Sequence, residues 1–183
     1  MSRAIVIVGP MGAGKTSVGR RVAKALGVTF YDSDIAVARE HGAIDDLFAT
    51  HGEEHFRALE RDAVAAGLAQ GGVVSLGGGA VLHPDTRAAL RAHRVVLLTV
   101  SPDTVASRIR GGKRPLLEHD DPVARWIEIY AARRPVYEDL ADVVFDTSSG
   151  PLQAIVDAIT AWAQSDDIRD RPSDQNPQSE ASA

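Results

Sequence analysis

Short apolar runs alternate along the chain with longer stretches whose apolar residues recur every three or four positions. The short runs are rich in β-branched residues and predict buried strands, over residues 4–8, 29–31, 73–76, 94–100 and 142–145. The longer stretches predict helices, over residues 15–26, 34–41, 44–51, 53–69, 84–92, 123–133 and 152–163, with another beginning at 101–103. Strands interleaved with helices predict a three-layer α/β fold around a five-stranded parallel sheet.

Two segments lack this periodicity. Residues 111–122 combine glycines, prolines and charges, which predicts a mobile loop. Residues 165–183 contain five acidic and two basic side chains, and Ile168 is their only large apolar residue. Such a segment cannot bury enough apolar surface to offset the entropy lost on ordering. We therefore expect one domain over residues 1–164, with a disordered acidic tail after it.

The composition excludes several classes of function. The chain has no cysteine, which rules out disulfides, thiol catalysis and Cys-ligated metals and fits a reducing cytoplasm. Its net charge is −5 and only 5% of its residues are aromatic, whereas nucleic-acid binders usually combine a basic face with stacking aromatics. No apolar run reaches the roughly 20 residues of a membrane span. We expect a cytoplasmic protein that binds neither nucleic acid nor membrane.

A phosphate-binding loop follows the first predicted strand and opens the first predicted helix. The sequence G-P-M-G-A-G-K-T at residues 9–16 matches the pattern G-x-x-x-x-G-K-[ST] in full. Its glycines let successive backbone N–H groups face a phosphate, to which the helix N-terminus adds partial positive charge. Lys15 would reach the β- and γ-phosphates, and the Thr16 hydroxyl would bind Mg²⁺. The predicted nucleotide contacts are Gly12, Ala13, Gly14, Lys15, Thr16 and Ser17.

The rest of the sequence narrows the kind of nucleotide-binding protein. A GTPase would need an N-K-x-D motif to read guanine, but the only asparagine is Asn176, in the predicted tail. A motor ATPase would need a longer chain and a strand ending in paired acidic residues, and no apolar run here ends that way. Kinases of small molecules or nucleotides are the class that fits.

Two carboxylates follow the second predicted strand, where a parallel sheet opens onto its ligand crevice. Asp32 could hold the magnesium ion directly or through water, and Asp34 could orient or deprotonate an acceptor hydroxyl. Either Asp34 or Ser33 could cap the next helix, and one of them could do so at the same time as the site binds its ligands. These two carboxylates therefore indicate where the acceptor hydroxyl would bind.

Further motifs follow in a fixed order. They are G-E-E-H-F-R at 52–57, S-L-G-G-G-A at 75–80, R-P-L-L at 114–117, R-R-P-V-Y at 133–137, where the predicted helix 123–133 ends, and D-T-S-S-G-P at 146–151. On spacing alone, Arg57 and Glu60 would form a solvated pair on one helix face. The ordered set nevertheless resembles the shikimate kinase family over about residues 3–160.

This resemblance implies a fold, a reaction and an acceptor site. It implies the strand order 2-3-1-4-5 and transfer of phosphate from ATP, with Mg²⁺, to the 3-hydroxyl of shikimate on the route to chorismate and the aromatic amino acids. Asp34 matches the carboxylate that binds the reacting hydroxyl. Arg57 and Arg133 match the arginines that hold the substrate carboxylate, although Arg134 is an open alternative in the second motif. Gly78 and Gly79 would offer backbone contacts to the ring.

The resemblance also assigns the lid and the adenine contacts. Arg114, in the lid of about 111–122, would stabilise the transferring phosphoryl group, and Pro151 lies in the loop that packs around adenine. Either Arg108 or Arg110 could stack on the base. We expect a monomer whose partners are ATP and shikimate. One alternative is another small-metabolite kinase of the gluconate type. A second is a non-catalytic ATP-binding regulator, which would be favoured if Lys15, Asp32, Asp34 or Arg114 were replaced, but all four are present.

Overall fold

The structure is a computed structural model that describes residues 3–109 and 121–165. The strands of this part of the chain are β1 Ile5–Val8, β2 Phe30–Asp32, β3 Val73–Ser75, β4 Arg94–Thr99 and β5 Val143–Asp146. Its α-helices are α1 Lys15–Leu26, α2 Ser33–His41, α3 Ile44–Gln70, α4 Pro84–Leu90, α5 Pro102–Ile109, α6 Pro122–Leu140 and α7 Leu152–Gln164. A short 3₁₀ helix at Ala80–Leu82, which the periodicity did not predict, connects β3 to α4.

The five strands form one parallel sheet in the order β2-β3-β1-β4-β5. Both the α/β class and this strand order are as predicted. The order places β1 in the centre, and the chain leads from β1 to one side and from β3 to the other, so the direction of winding changes between the neighbours β1 and β3. Ligands of open α/β sheets bind at such a switch point, beyond the carboxyl ends of the strands. The loop that follows β1 therefore opens directly into the ligand crevice.

Alternating strand side chains fill two separate core layers, because successive residues of a strand point to opposite faces of the sheet. Ile5 and Ile7 face a layer formed with α1, α5, α7 and the start of α6. Val6 and Val8 face a second layer formed with α3, α4 and the end of α6. Helix α6 contributes to both layers, with Trp126 in the first and Tyr137 and Leu140 in the second. This arrangement is the three-layer architecture that the pattern predicts.

The predicted limits of α6 were wrong at both ends. Pro122 begins the helix instead of ending the loop, since Asp121 caps it by accepting from the N–H groups of Val123 and Ala124. Pro135 lies inside the helix, where it removes one backbone hydrogen bond without ending it. The turns beyond Pro135 bury Tyr137 and Leu140 in the second core layer, and this packing keeps the chain helical.

Several predictions fall on residues outside the described ones. They are Arg110, Arg114, the lid apart from 121 and 122, and the acidic tail apart from Ser165. The division into a domain at 1–164 and a tail stays a prediction. Within the described residues, no helix is both long and apolar enough to cross a membrane.

Candidate active site

A cleft of about 510 Å³ lies beyond the carboxyl ends of β1, β2 and β3. The cleft is lined by the loop after β1, Asp32 and Asp34 at the start of α2, the first half of α3, the end of β3 with Gly78 and Gly79, Arg108 of α5 and Arg133 of α6. These are the parts in which the sequence placed its candidate chemistry. The fold thus brings the predicted nucleotide and acceptor contacts to one cleft.

The loop after β1 has the backbone of an anion-binding site. Gly9 (φ +141°) needs to be glycine because a Cβ there would overlap the carbonyl of Leu98, and Gly14 caps α1 in the left-handed region at φ +84°. The Lys15 ammonium donates to the carbonyls of Gly9 at 2.9 Å and Pro10 at 3.0 Å. Burial lowers the pKa of Lys15, an effect that the nearby carboxylate of Asp34 partly offsets.

Two side chains from outside the loop fix its position. The indole N–H of Trp126 donates to the carbonyl of Met11 at 2.9 Å. The Arg108 guanidinium donates to the carbonyls of Gly12 and Thr147, both at 2.9 Å. The sequence indicated Arg108 only as a candidate for stacking on adenine. In the structure it ties the phosphate-binding loop to the segment after β5, a contact that joins distant parts of the chain and leaves no local signal.

Thr16 and Asp32 lie side by side at the entrance of α1. The Thr16 hydroxyl donates to Asp32 Oδ2 at 2.7 Å. The other oxygen, Oδ1, accepts from the N–H groups of Asp34 and Ile35, so Asp32 caps α2. The prediction that Asp34 or Ser33 is the cap was wrong, because α2 begins one residue earlier than the pattern indicated. A hydroxyl and a carboxylate are the hard oxygen ligands that Mg²⁺ takes in phosphate-binding sites.

Asp34 lies half-buried on the floor of the cleft. Burial raises its pKa to about 6, and the carboxylate of Glu60 adds to the increase while Lys15 opposes it. A carboxyl group with this pKa can accept a proton near neutral pH, which an ordinary surface aspartate does poorly. The setting of Asp34 is therefore that of a candidate general base.

Arg57 and Glu60 form a buried ion pair, contrary to the solvated pair that their spacing suggested. Glu60 is only 2% exposed, and its Oε2 accepts from Arg57 Nη1 at 2.6 Å. Arg57 also donates from Nη2 to the exposed carboxylate of Glu53 at 3.0 Å. Burial raises the pKa of Glu60, although Arg57 opposes that increase. Spacing places two residues on one helix face but does not say whether the fold covers that face.

The orientation of α6 distinguishes Arg133 from its neighbour Arg134. Arg133 lines the cleft, as Arg57 does. Arg134 is exposed and donates to Glu138 at 2.7 Å on the outer face of the helix. Of the two neighbours, only Arg133 is placed to bind a ligand in the cleft.

The glycine segment 77–79 packs closely against these charged groups. A Cβ on Gly77 would overlap both Asp34 Oδ1 and Glu60 Oε1, and a Cβ on Gly79 would overlap the Arg57 guanidinium. At Gly78 the nearest atom to an added Cβ is the carbonyl oxygen of Gly9, at 3.6 Å, an ordinary contact. A side chain at Gly77 or Gly79 would therefore have to displace these charged groups.

We expect Gly77→Ala to lower the free energy of unfolding by about 1–3 kcal/mol, because the new methyl group must displace two buried carboxylates. Gly78→Ala is the matched control and should change it by less than about 1 kcal/mol. Urea unfolding of both variants measures the difference. Equal stability of the two variants would contradict the packing described here.

An apolar wall of the cleft was not foreseen. Phe48 and Phe56 face each other on α3 with ring centroids 4.7 Å apart, and Ile44 lines the cleft beside them. Gly52, at φ +80° and ψ +173°, breaks the helix between the two rings. The glycine was visible as the gap between the two helices predicted there, but nothing local showed that both aromatic rings turn toward a ligand.

The predicted site residues divide into three groups. Those that line the cleft are Gly12, Gly14, Lys15, Thr16, Ser17, Asp32, Asp34, Arg57, Gly78, Gly79 and Arg133. Two others do not line it: Ala13 is fully buried in the first core layer, and Pro151 is exposed ahead of α7. Arg114 lies outside the described residues.

Comparison with known proteins agrees with this geometry. The family model for shikimate kinase matches residues 11–164. The chain belongs to the shikimate kinase family. It is 43% identical to the shikimate kinase of Mycobacterium tuberculosis over 167 residues, which cover 90% of this chain and 95% of that protein. The expected family is confirmed.

Solved structures place the fold in the same family. A shikimate kinase from Acinetobacter baumannii, in complex with shikimate, superposes with a TM-score of 0.85 and 32% identity over 91% of this chain and 96% of that one. A gluconokinase from Sinorhizobium meliloti reaches a TM-score of 0.59 at 24% identity, covering 87% of this chain and 90% of that one. The second likeness shows a shared fold alone.

Proposed function

We propose that this protein transfers the γ-phosphoryl group of ATP to the 3-hydroxyl of shikimate, giving shikimate 3-phosphate and ADP. The observation that carries the proposal is the position of Asp34. It lies in one cleft with the phosphate-binding lysine Lys15 and two arginines, Arg57 and Arg133. A kinase of a small hydroxy acid needs these three elements within reach of one another.

The acceptor side of the cleft suits a carboxylate with neighbouring hydroxyls. Guanidinium groups bind a planar carboxylate through paired N–H donors, which a lysine cannot match. Arg57 is held by Glu60 and Arg133 projects from α6, so both approach the ligand from fixed elements. The backbone of Gly78 and Gly79 offers polar groups to the ring hydroxyls, and the Phe48 and Phe56 rings cover its apolar side.

Asp34 would orient the reacting hydroxyl and accept its proton as the oxygen attacks the γ-phosphorus. The O–P bond to the acceptor forms while the bond to the bridging oxygen of ADP breaks. Lys15 and the N-terminus of α1 would stabilise the negative charge on the phosphoryl oxygens. We assign Arg114 to the same task from the lid, on the resemblance of its motif. Phosphoryl transfer depends mainly on such positioning and electrostatics.

Thr16 and Asp32 are the residues that would hold Mg²⁺. Their oxygens are adjacent, and magnesium sites in kinases combine one or two such ligands with substrate phosphates and water. When bound, the ion supplies positive charge that neutralises the phosphates during transfer. Asp32 at the same time fixes α2 through its cap, so the helix that carries Asp34 is anchored to the magnesium ligand.

We expect Asp32→Asn to raise the Mg²⁺ concentration needed for half-maximal activity by about tenfold or more. Asparagine caps a helix as well as aspartate does, so the substitution removes the charge and leaves α2 intact. Initial rates measured over a Mg²⁺ titration at fixed ATP test this. Asp121→Asn, which changes the equivalent cap of α6, should keep the wild-type Mg²⁺ dependence; an identical shift in both variants would contradict the assignment.

The product identifies the reaction directly. Incubation with ATP, Mg²⁺ and shikimate should yield a monophosphorylated acid whose phosphorus couples to the ring proton at carbon 3, observed by two-dimensional phosphorus–proton NMR. Coupling to another ring position would overturn the site of transfer. Phosphorylation of gluconate, with shikimate unchanged, would favour the alternative kinase.

A further inference from the structure

Tyr137 joins α6 to the glycine segment through its hydroxyl group. It lies on α6 and is only 1% exposed. Its hydroxyl donates to the carbonyl oxygen of Gly78. Arg133, which lines the cleft, lies one turn earlier on the same helix and is close enough to oppose the rise in the Tyr137 pKa. The phenol therefore holds the glycine segment beside an arginine that lines the cleft.

The bond to Gly78 also fixes the next N–H group. A trans peptide is planar, and its C=O and N–H groups point in opposite directions. The hydroxyl that holds the Gly78 carbonyl therefore also sets the direction of the Gly79 N–H. Within the described residues, no protein acceptor takes that N–H. On the other side of the segment, the Gly77 N–H donates to the Ser33 hydroxyl at 3.0 Å, so the backbone is held at two points.

The Tyr137 hydroxyl stays protonated over the working range of the enzyme. Burial raises its pKa to about 12, which keeps the proton on the phenol and excludes it as an acid or base near neutral pH. It acts as a fixed hydrogen-bond donor to Gly78. Replacing it by phenylalanine would leave the Gly78 carbonyl without this partner, while the ring keeps its packing in the second core layer.

We propose that Tyr137 is a positioning residue for the acceptor, whose hydroxyl orients the Gly78–Gly79 peptide toward the cleft. This inference rests on the proposed function, because the acceptor is the ligand that those groups would bind. The nucleotide end is held separately, by Trp126 and Arg108. Loss of the hydroxyl should therefore weaken acceptor binding and spare the binding of ATP.

The test compares Tyr137→Phe with Tyr130→Phe in steady-state kinetics. Tyr130 lies on the same helix, packs against Trp126 and Tyr137 with ring centroids 5.1 and 6.4 Å away, and is outside the cleft lining. Tyr137→Phe should raise KM for shikimate about five- to tenfold, the loss expected for one hydrogen bond. KM for ATP and kcat should match those of Tyr130→Phe.

Other outcomes separate this inference from the proposed function. An unchanged KM for shikimate, or a joint change in both KM values and Tm, would overturn the positioning role and make the hydroxyl merely structural. Failure of Tyr137→Phe to fold would have the same meaning. Absence of shikimate turnover by the wild-type enzyme, measured first in the same assay, would instead overturn the proposed function.

Discussion

Asp34→Asn should lower kcat by a factor of about 10²–10⁴, the range that a positioned general base contributes. Asparagine keeps the size of the side chain and its ability to hydrogen-bond a hydroxyl, but it cannot accept the proton as the acceptor oxygen attacks. KM for ATP should stay close to wild type, because the phosphate-binding loop is held by contacts that do not involve Asp34. Steady-state ADP release with shikimate as acceptor measures both constants.

We expect the same group to set the acid limb of the wild-type pH profile. The pKa of Asp34 is raised to about 6 in the folded protein, so below that pH the carboxyl is protonated and cannot act as a base. We expect kcat/KM for shikimate to fall about tenfold per pH unit below pH 6, because this constant reports ionisation of the free enzyme. The Asp34→Asn variant should lose this limb while keeping its low activity.

Stability should change in the opposite direction to activity. A carboxyl whose folded pKa is raised binds more protons folded than unfolded between about pH 4 and pH 6, so its contribution to stability is present below pH 4 and is lost as the pH rises through 6. At pH 8 the charge of Asp34 costs about 3 kcal/mol. Asp34→Asn should therefore be more stable than wild type at pH 8 and no more stable at pH 4. Lower stability at pH 8 together with lower activity would indicate a structural role.

Arg57→Ala should weaken both substrate binding and the fold. Removing one charge-assisted contact to a carboxylate costs about 1.5–3 kcal/mol, a rise of roughly 10- to 100-fold in KM for shikimate. The substitution also leaves Glu60, which is 2% exposed, without the partner at 2.6 Å, and breaking a buried pair in this way costs about 3 kcal/mol. Steady-state kinetics and urea unfolding measure the two effects.

A second arginine on α3 provides the control for that variant. Arg61 lies one turn beyond Arg57, with its side chain 41% exposed and its nearest carboxylate partner, the exposed Asp62, 3.8 Å away. Arg61→Ala should leave the free energy of unfolding within about 0.5 kcal/mol of wild type. Glu60→Gln in the Arg57→Ala background should recover stability, since it removes the uncompensated charge. Equal losses from Arg57→Ala and Arg61→Ala would contradict the buried pair.

The sheet and the nucleotide end of the site could be predicted from the sequence because their signals are local. An apolar run followed by G-P-M-G-A-G-K-T indicates a strand, a phosphate-binding turn and a helix within residues 5–26. The two carboxylates after β2 could be predicted for the same reason, since strand ends of a parallel sheet share one edge. Strand order and the assignment of Arg57 and Arg133 came from the resemblance.

The remaining features depend on which surfaces the fold covers. The helical spacing of Glu60 predicts an exposed residue. In the fold Glu60 is buried, because the glycine segment 77–79 packs over it. Pro135 predicts the end of a helix, yet packing of Tyr137 and Leu140 carries α6 past it. Such contacts join residues far apart in the chain, so no pattern within one segment reports them.

The substrate assignment is tested most directly by ADP release from ATP and Mg²⁺ with shikimate, with gluconate and with no acceptor, using wild type and Asp34→Asn in parallel. Of the three conditions, only shikimate should strongly stimulate ADP release by the wild type, and this stimulation should collapse in Asp34→Asn. Stimulation by gluconate with none by shikimate, or a shikimate-dependent rate that is equal in both proteins, would contradict it.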